Sequence, residues 1–101
     1  MIKHLVLFKL ADEAEGNSKE TNAIIIKEKL EALKNVIPVI RKMEVFINHA
    51  EASCANYDIL LDSEFETLDD LKIYAQHPEH IAVGEFIVKV RTERAAIDYE
   101  F

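Results

Sequence analysis

One short segment, Tyr74-Ala75-Gln76-His77-Pro78-Glu79-His80, brings a phenol and two imidazoles together. Imidazole titrates near neutral pH, and a positioned histidine typically speeds a reaction by about 10²- to 10⁴-fold through proton transfer. A phenol beside it can hold a developing enolate oxygen. Pro78 suits the first turn of a helix, where its missing N–H needs no partner. His80 then shares a side with Val83 and Ile87, three and seven residues on, and points inward. One reading makes His80 a general acid or base with Tyr74 as its partner. The other makes His80 a hydrogen-bonded histidine that fixes the loop, with Tyr74 as a core aromatic. The spacing leaves both open.

Other residues capable of chemistry are more dispersed. His4 shares a strand face with Val6 and Phe8, so it is expected either to reach the same cavity or to be a satisfied strand histidine. His77 precedes Pro78, a position suited to capping the new helix. His77 and His80 together offer two ligands where zinc takes three or four, so no metal site is expected. Cys54 is the single cysteine and has no adjacent base, which argues against both a disulfide and a nucleophile. His49 and Glu51 fall in a loop. Asp58, Asp62, Glu64 and Glu66 read as a solvated strand face. The chain contains no Gly-rich phosphate loop, nucleophile elbow or HExxH pattern, and no cofactor is implied.

The elements that must position these groups follow from periodicity. The opening Ile2 to Leu10 reads as a strand with large apolar groups on both faces: Ile2, Val6, Phe8 and Leu10 on one, Leu5 and Leu7 on the other. Asn17 and Glu20 have capping-box spacing, and Ala23, Ile26, Leu30, Leu33 and Ile37 make the buried stripe of a helix that Pro38 ends. Strands are expected at about 42–49 and 57–66, with Leu60 breaking the alternation of the second. Thr67 and Asp70 open a short helix carrying Leu68, Leu71 and Tyr74, which stops before Pro78. Val83, Phe86, Ile87 and Val90 line the next helix, where Gly84 marks close packing or a break. A last strand is expected from Ala95 to Phe101.

This order is that of a ferredoxin-like α+β fold, a four-stranded antiparallel sheet with helices on one face, formed by a single domain spanning residues 1–101. A first strand that is apolar on both sides leaves an uncovered hydrophobic sheet surface, so a homodimer closing face to face is expected. Nineteen Asp and Glu against twelve Lys and Arg give a net charge of −7, which removes any sequence-independent attraction to nucleic acid or anionic lipid. With one cysteine and no signal-like or membrane-spanning run, a cytoplasmic location is expected.

The same residues resemble the stress-responsive dimeric A/B barrel family. The likeness lies in Ile2-Lys3-His4-Leu5-Val6-Leu7-Phe8-Lys9-Leu10, Pro38, Tyr57-Asp58, Phe65-Glu66-Thr67-Leu68, the Tyr74 to His80 segment and Asp98-Tyr99. The resemblance implies a homodimer with a small hydrophobic ligand pocket between sheet and helices, and a stress-related role without one fixed reaction. Its Tyr-x-x-His-Pro-x-His segment is similar to that of olivetolic acid cyclase-like members, which implies pocket roles for Tyr74 and His80, with His4 matching their first-strand histidine. Ile59 stands where those members have another histidine. The alternative implied is a cofactor-independent cyclase, lyase or monooxygenase acting on a hydrophobic carbonyl or phenolic compound.

Overall fold

The computed structural model describes residues 1–101. Strand β1 (Ile2–Leu10) leads into a small hairpin, β2 (Glu13–Ala14) and β3 (Asn17–Ser18), then helix α1 (Lys19–Ala32) and a 3₁₀ turn at Leu33–Asn35. Strands β4 (Lys42–Ile47) and β5 (Ile59–Phe65) follow, then α2 (Leu68–Gln76), α3 (Pro78–Val90) and β6 (Arg91–Glu100). The main sheet runs β4-β5-β1-β6 with every neighbouring pair antiparallel. This is the expected ferredoxin-like arrangement. No helix is long and apolar enough to cross a membrane.

β1 is central because both its faces are apolar. Ile2, Val6, Phe8 and Leu10 turn toward the helices and are buried with Ile26 and Leu30 of α1, Leu61 and Phe65 of β5, Tyr74 of α2 and Ile87 of α3. Each such side chain, removed from water, contributes roughly 1.5–3 kcal/mol. On the other face, Leu5 and Leu7 lie opposite Ile97 and Ala95 of β6, and Leu7 also faces Leu60 of β5, which in turn pairs with Phe46 of β4. Leu60, irregular in the sequence pattern, therefore belongs to this second apolar surface. Phe46, Ile97, Tyr99 and Phe101 are all exposed.

Four local expectations change. Ser18, not Asn17, caps α1, its Oγ accepting from the Thr21 N–H at 3.2 Å. Asn17 instead pairs in the hairpin, whose central residues Glu15 and Gly16 have φ of 50° and 77°, the positive values a type I′ turn needs. Buried Asn22 ties this hairpin to α1, donating to the Ala14 carbonyl at 3.1 Å. β6 starts at Arg91, four residues before the expected Ala95, because β1 pairs with it along its whole length. Gly84 neither breaks α3 nor packs closely: a Cβ placed there meets nothing within 4 Å. The acids of β5 are not a free solvated face either. Lys3 Nζ reaches Asp62 at 2.8 Å and Glu64 at 2.6 Å, and Lys42 Nζ reaches Asp62 at 2.9 Å. Hydrogen bonds to Asp62 and then Glu64 raise the Lys3 ammonium above its ordinary value. Asp58 caps the backbone, accepting from the Leu10 N–H at 2.8 Å.

Candidate functional site

Thr67 starts α2, its Oγ1 accepting from the Asp70 N–H at 3.1 Å as the capping-box spacing predicts. The helix ends at His77, which is at once its C-cap and the N-cap of α3, with Nδ1 accepting from the Glu79 N–H at 3.1 Å. Tyr74 lies three residues before this corner and His80 three after it, and the corner folds them onto each other. Their ring centroids are 4.3 Å apart, and Tyr74 also packs on Phe65 at 5.0 Å. The His80 Nδ1 donates to the Ala75 carbonyl at 3.0 Å, which leaves Nε2 without a protein partner.

His4 approaches from β1, its ring centroid 6.4 Å from that of Tyr74. Its Nδ1 is hydrogen-bonded to the Asp98 carboxylate, directly opposite on β6, so both expectations for His4 hold together: it is satisfied and it lines the cavity. Buried Ser63 fixes the strand there, donating to the His4 carbonyl at 2.8 Å.

These groups form the polar end of a cavity of about 130 Å³. Val6, Phe8, Leu30, Leu61 and Ile87 supply its apolar walls, and Gly84 leaves α3 open toward it. Tyr74 is 1% exposed, and its hydroxyl is buried with no hydrogen-bond partner. A buried polar group left unpaired costs roughly 1–3 kcal/mol, a cost that an acceptor atom brought to it would relieve. Burial raises the phenol well above its ordinary range against an opposing effect of Arg94, so Tyr74 acts as a donor and not as a base. Burial also lowers His80, opposed by its bond to the Ala75 carbonyl, while His4, Arg94 and His77 lower it further. A neutral imidazole with a free Nε2 next to a protonated phenol can accept a proton on one side of a ligand and donate a hydrogen bond on the other.

Arg91 and Arg94 also line the cavity. The sequence pattern missed them because it started β6 too late. Carried back to Arg91, the alternation places Arg94 on the same face as Asp98, opposite Phe8. The other candidates lie elsewhere. Cys54 is exposed and free, and with His49 and Asp58 it lines a separate cavity of about 390 Å³ between α1 and the 48–58 loop. Nowhere do three or more His, Cys, Asp or Glu side chains converge as metal ligands would.

The fold has counterparts among known proteins. The chain matches the Stress responsive A/B Barrel Domain over residues 2–101. It belongs to that family. An uncharacterised protein of Streptomyces coelicolor is 35% identical over 101 residues covering all of both chains. A stress-response A/B barrel domain-containing protein of Arabidopsis thaliana is 30% identical over 98% of this chain, which spans only 36% of that relative. A crystal structure of a dimeric protein of unknown function and ferredoxin-like fold from Bacteroides fragilis superposes with a TM-score of 0.87 at 45% identity, covering 99% of this chain and 95% of that one. Across the A/B barrel fold of this chain, the polar end of the cavity is assembled from β1, α2, α3 and β6 together.

Proposed function

We propose that the protein is a homodimer that holds one small ligand per protomer in the cavity between β1, α3 and β6, with Tyr74 and His80 as its polar contacts and a stress-related role. The observation that carries this reading is the Tyr74 hydroxyl, buried and unpartnered beside that cavity. Dimerisation is supported by the apolar open face of the sheet and by the dimeric state of the Bacteroides fragilis relative. The test is thermal unfolding of wild type and Tyr74→Phe against a panel of quinones, aromatic acids, medium-chain β-keto acids and divalent ions. A ligand that binds the native state raises the midpoint by mass action. A saturable shift in wild type that is lost in Tyr74→Phe, with no fall in the midpoint of the unliganded variant, is expected. No shift with any compound, or a variant that simply melts several degrees lower, would count against the site.

A second reading is favoured by the free Nε2 of a neutral His80: a cofactor-independent cyclase, lyase or monooxygenase acting on a hydrophobic carbonyl or phenolic compound. His80 would take a proton while Tyr74 donates to the oxygen that gains charge. The likeness of the Tyr74 to His80 segment to olivetolic acid cyclase-like proteins supports it. Product formation that is lost in His80→Ala while the dimer stays folded would select this reading; binding without turnover would select the first.

A further inference from the structure

Arg91 and Arg94 are cations of an acidic chain that no carboxylate engages. Lys3, Lys19, Lys27, Arg41, Lys42 and Lys89 each meet a carboxylate within 4 Å; Lys9, Lys29, Lys34 and Lys72 do not, but they lie away from the cavity, and the two basic residues that line it, Arg91 and Arg94, make neither an ion pair nor a side-chain hydrogen bond. With nineteen acids for twelve Lys and Arg, partners for them are not scarce. Asp98, on the same face of β6, is engaged by His4. Both arginines line the cavity, Arg94 exposed and Arg91 half-buried. Tyr74 lines the same cavity, and its buried hydroxyl is a donor lacking an acceptor. Beyond these donors and the imidazoles of His4 and His80 the walls are apolar, and the volume of about 130 Å³ is close to the ~150 Å³ known to admit a benzene ring.

Guanidinium groups recognise carboxylates through paired, charge-assisted hydrogen bonds. We propose that the cavity binds a small monocarboxylate whose apolar body is no larger than a single six-membered ring, with Arg94 taking the carboxylate and the Tyr74 hydroxyl donating to one of its oxygens. The proposal rests on the reading of this cavity as the ligand site and adds the charge class of the ligand.

The probes are sodium benzoate and benzamide, alike in shape and different in charge, titrated calorimetrically at low salt into wild type, Arg94→Gln and Gly84→Leu. Benzoate is expected to bind wild type at one site per protomer, and Arg94→Gln to weaken it roughly tenfold or more, as removal of a hydrogen bond to a charged group does. Benzamide should bind wild type more weakly than benzoate and be indifferent to Arg94→Gln, which also reports that this variant retains its cavity. Gly84→Leu, which fills the open space on α3, should abolish binding of both. Equal binding of the two probes, or benzoate affinity unchanged in Arg94→Gln, overturns the anion assignment while leaving the cavity as a ligand site. No binding of either probe to wild type, or binding insensitive to Gly84→Leu, overturns the assignment together with the cavity reading on which it rests.

Discussion

His80 is a titratable ring held in its neutral form, and that fixes the sign of a pH effect. Burial lowers its pKa in the folded protein, so protons bind more readily to the unfolded chain, where histidine titrates near 6.5. The stability this group contributes is therefore fully present above about pH 6.5 and is lost as pH falls through the lower folded value. Thermal midpoints of wild type and His80→Gln followed from pH 7.5 to pH 5 should show wild type losing more than the variant. Titrating groups that do not face His80 are common to both proteins and cancel in the difference, which therefore reports His80 together with its coupling to His4 and His77. Parallel curves would mean that the ring is freely solvated, and would remove the basis for His80 as a neutral base. The inward direction of His80 was legible in the sequence, since its spacing to Val83 and Ile87 on a helix started by Pro78 admits one orientation. That the Tyr74 hydroxyl lacks a partner was not legible, because it depends on Phe65, His4 and His80 converging from separate elements.

At the scale of elements, α3 keeps a glycine where alanine would serve the helix better. Glycine inside a helix costs about 1 kcal/mol relative to alanine, and no atom lies within 4 Å of the position an added Cβ would occupy. Gly84→Ala should therefore stabilise the protein by about 1 kcal/mol and raise its thermal midpoint by about 4–8 °C. A lower midpoint would show that the partner protomer or another group occupies that space. The order of strands and helices could be read from the sequence because long amphipathic stretches, the Thr67 cap and the prolines at 38 and 78 all act locally. The β2–β3 hairpin could not, since two-residue strands carry no alternation. The start of β6 was hidden for a related reason: Arg91, Thr92, Glu93 and Arg94 hold no apolar residue, and the sheet edge they form has few helix contacts to demand one. The two arginines of the cavity were lost to view with it.

For the whole molecule, one sheet face is covered by its own helices and the other is bare. The principal extents of 35 × 26 × 19 Å leave a face large enough to supply the ~800 Å² per partner of a standard interface. On this face Lys3 and Lys42 already pair with Asp62 and Glu64, so closing a partner over these four groups buries no net charge, whereas Glu44 beside them has no cationic partner. Ile97, 59% exposed at the centre of β6, is a site at which a charge should not disturb the protomer. If the proposed homodimer closes on this face, wild type should sediment as a dimer and Ile97→Asp as a folded monomer at the same concentration, with a thermal midpoint that no longer depends on concentration. A variant that remains dimeric would place the contact on another surface. The two-faced first strand was the sequence signal for this surface, and the exposed Phe46, Ile97, Tyr99 and Phe101 bear it out.

The central position of β1 also sets the order in which the sheet can be built. Ile2 pairs with Phe65 on one side and with Glu100 on the other, so the first strand acquires its two neighbours long after it is synthesised. Pairings this distant along the chain place folding toward the slow end for small domains, since each long loop must close before its contacts are gained. Until β6 arrives, β1 has an apolar strand edge without a partner, open to another chain's strand. The nascent protomer is thus most vulnerable to mispairing just before its last ten-residue strand completes the sheet.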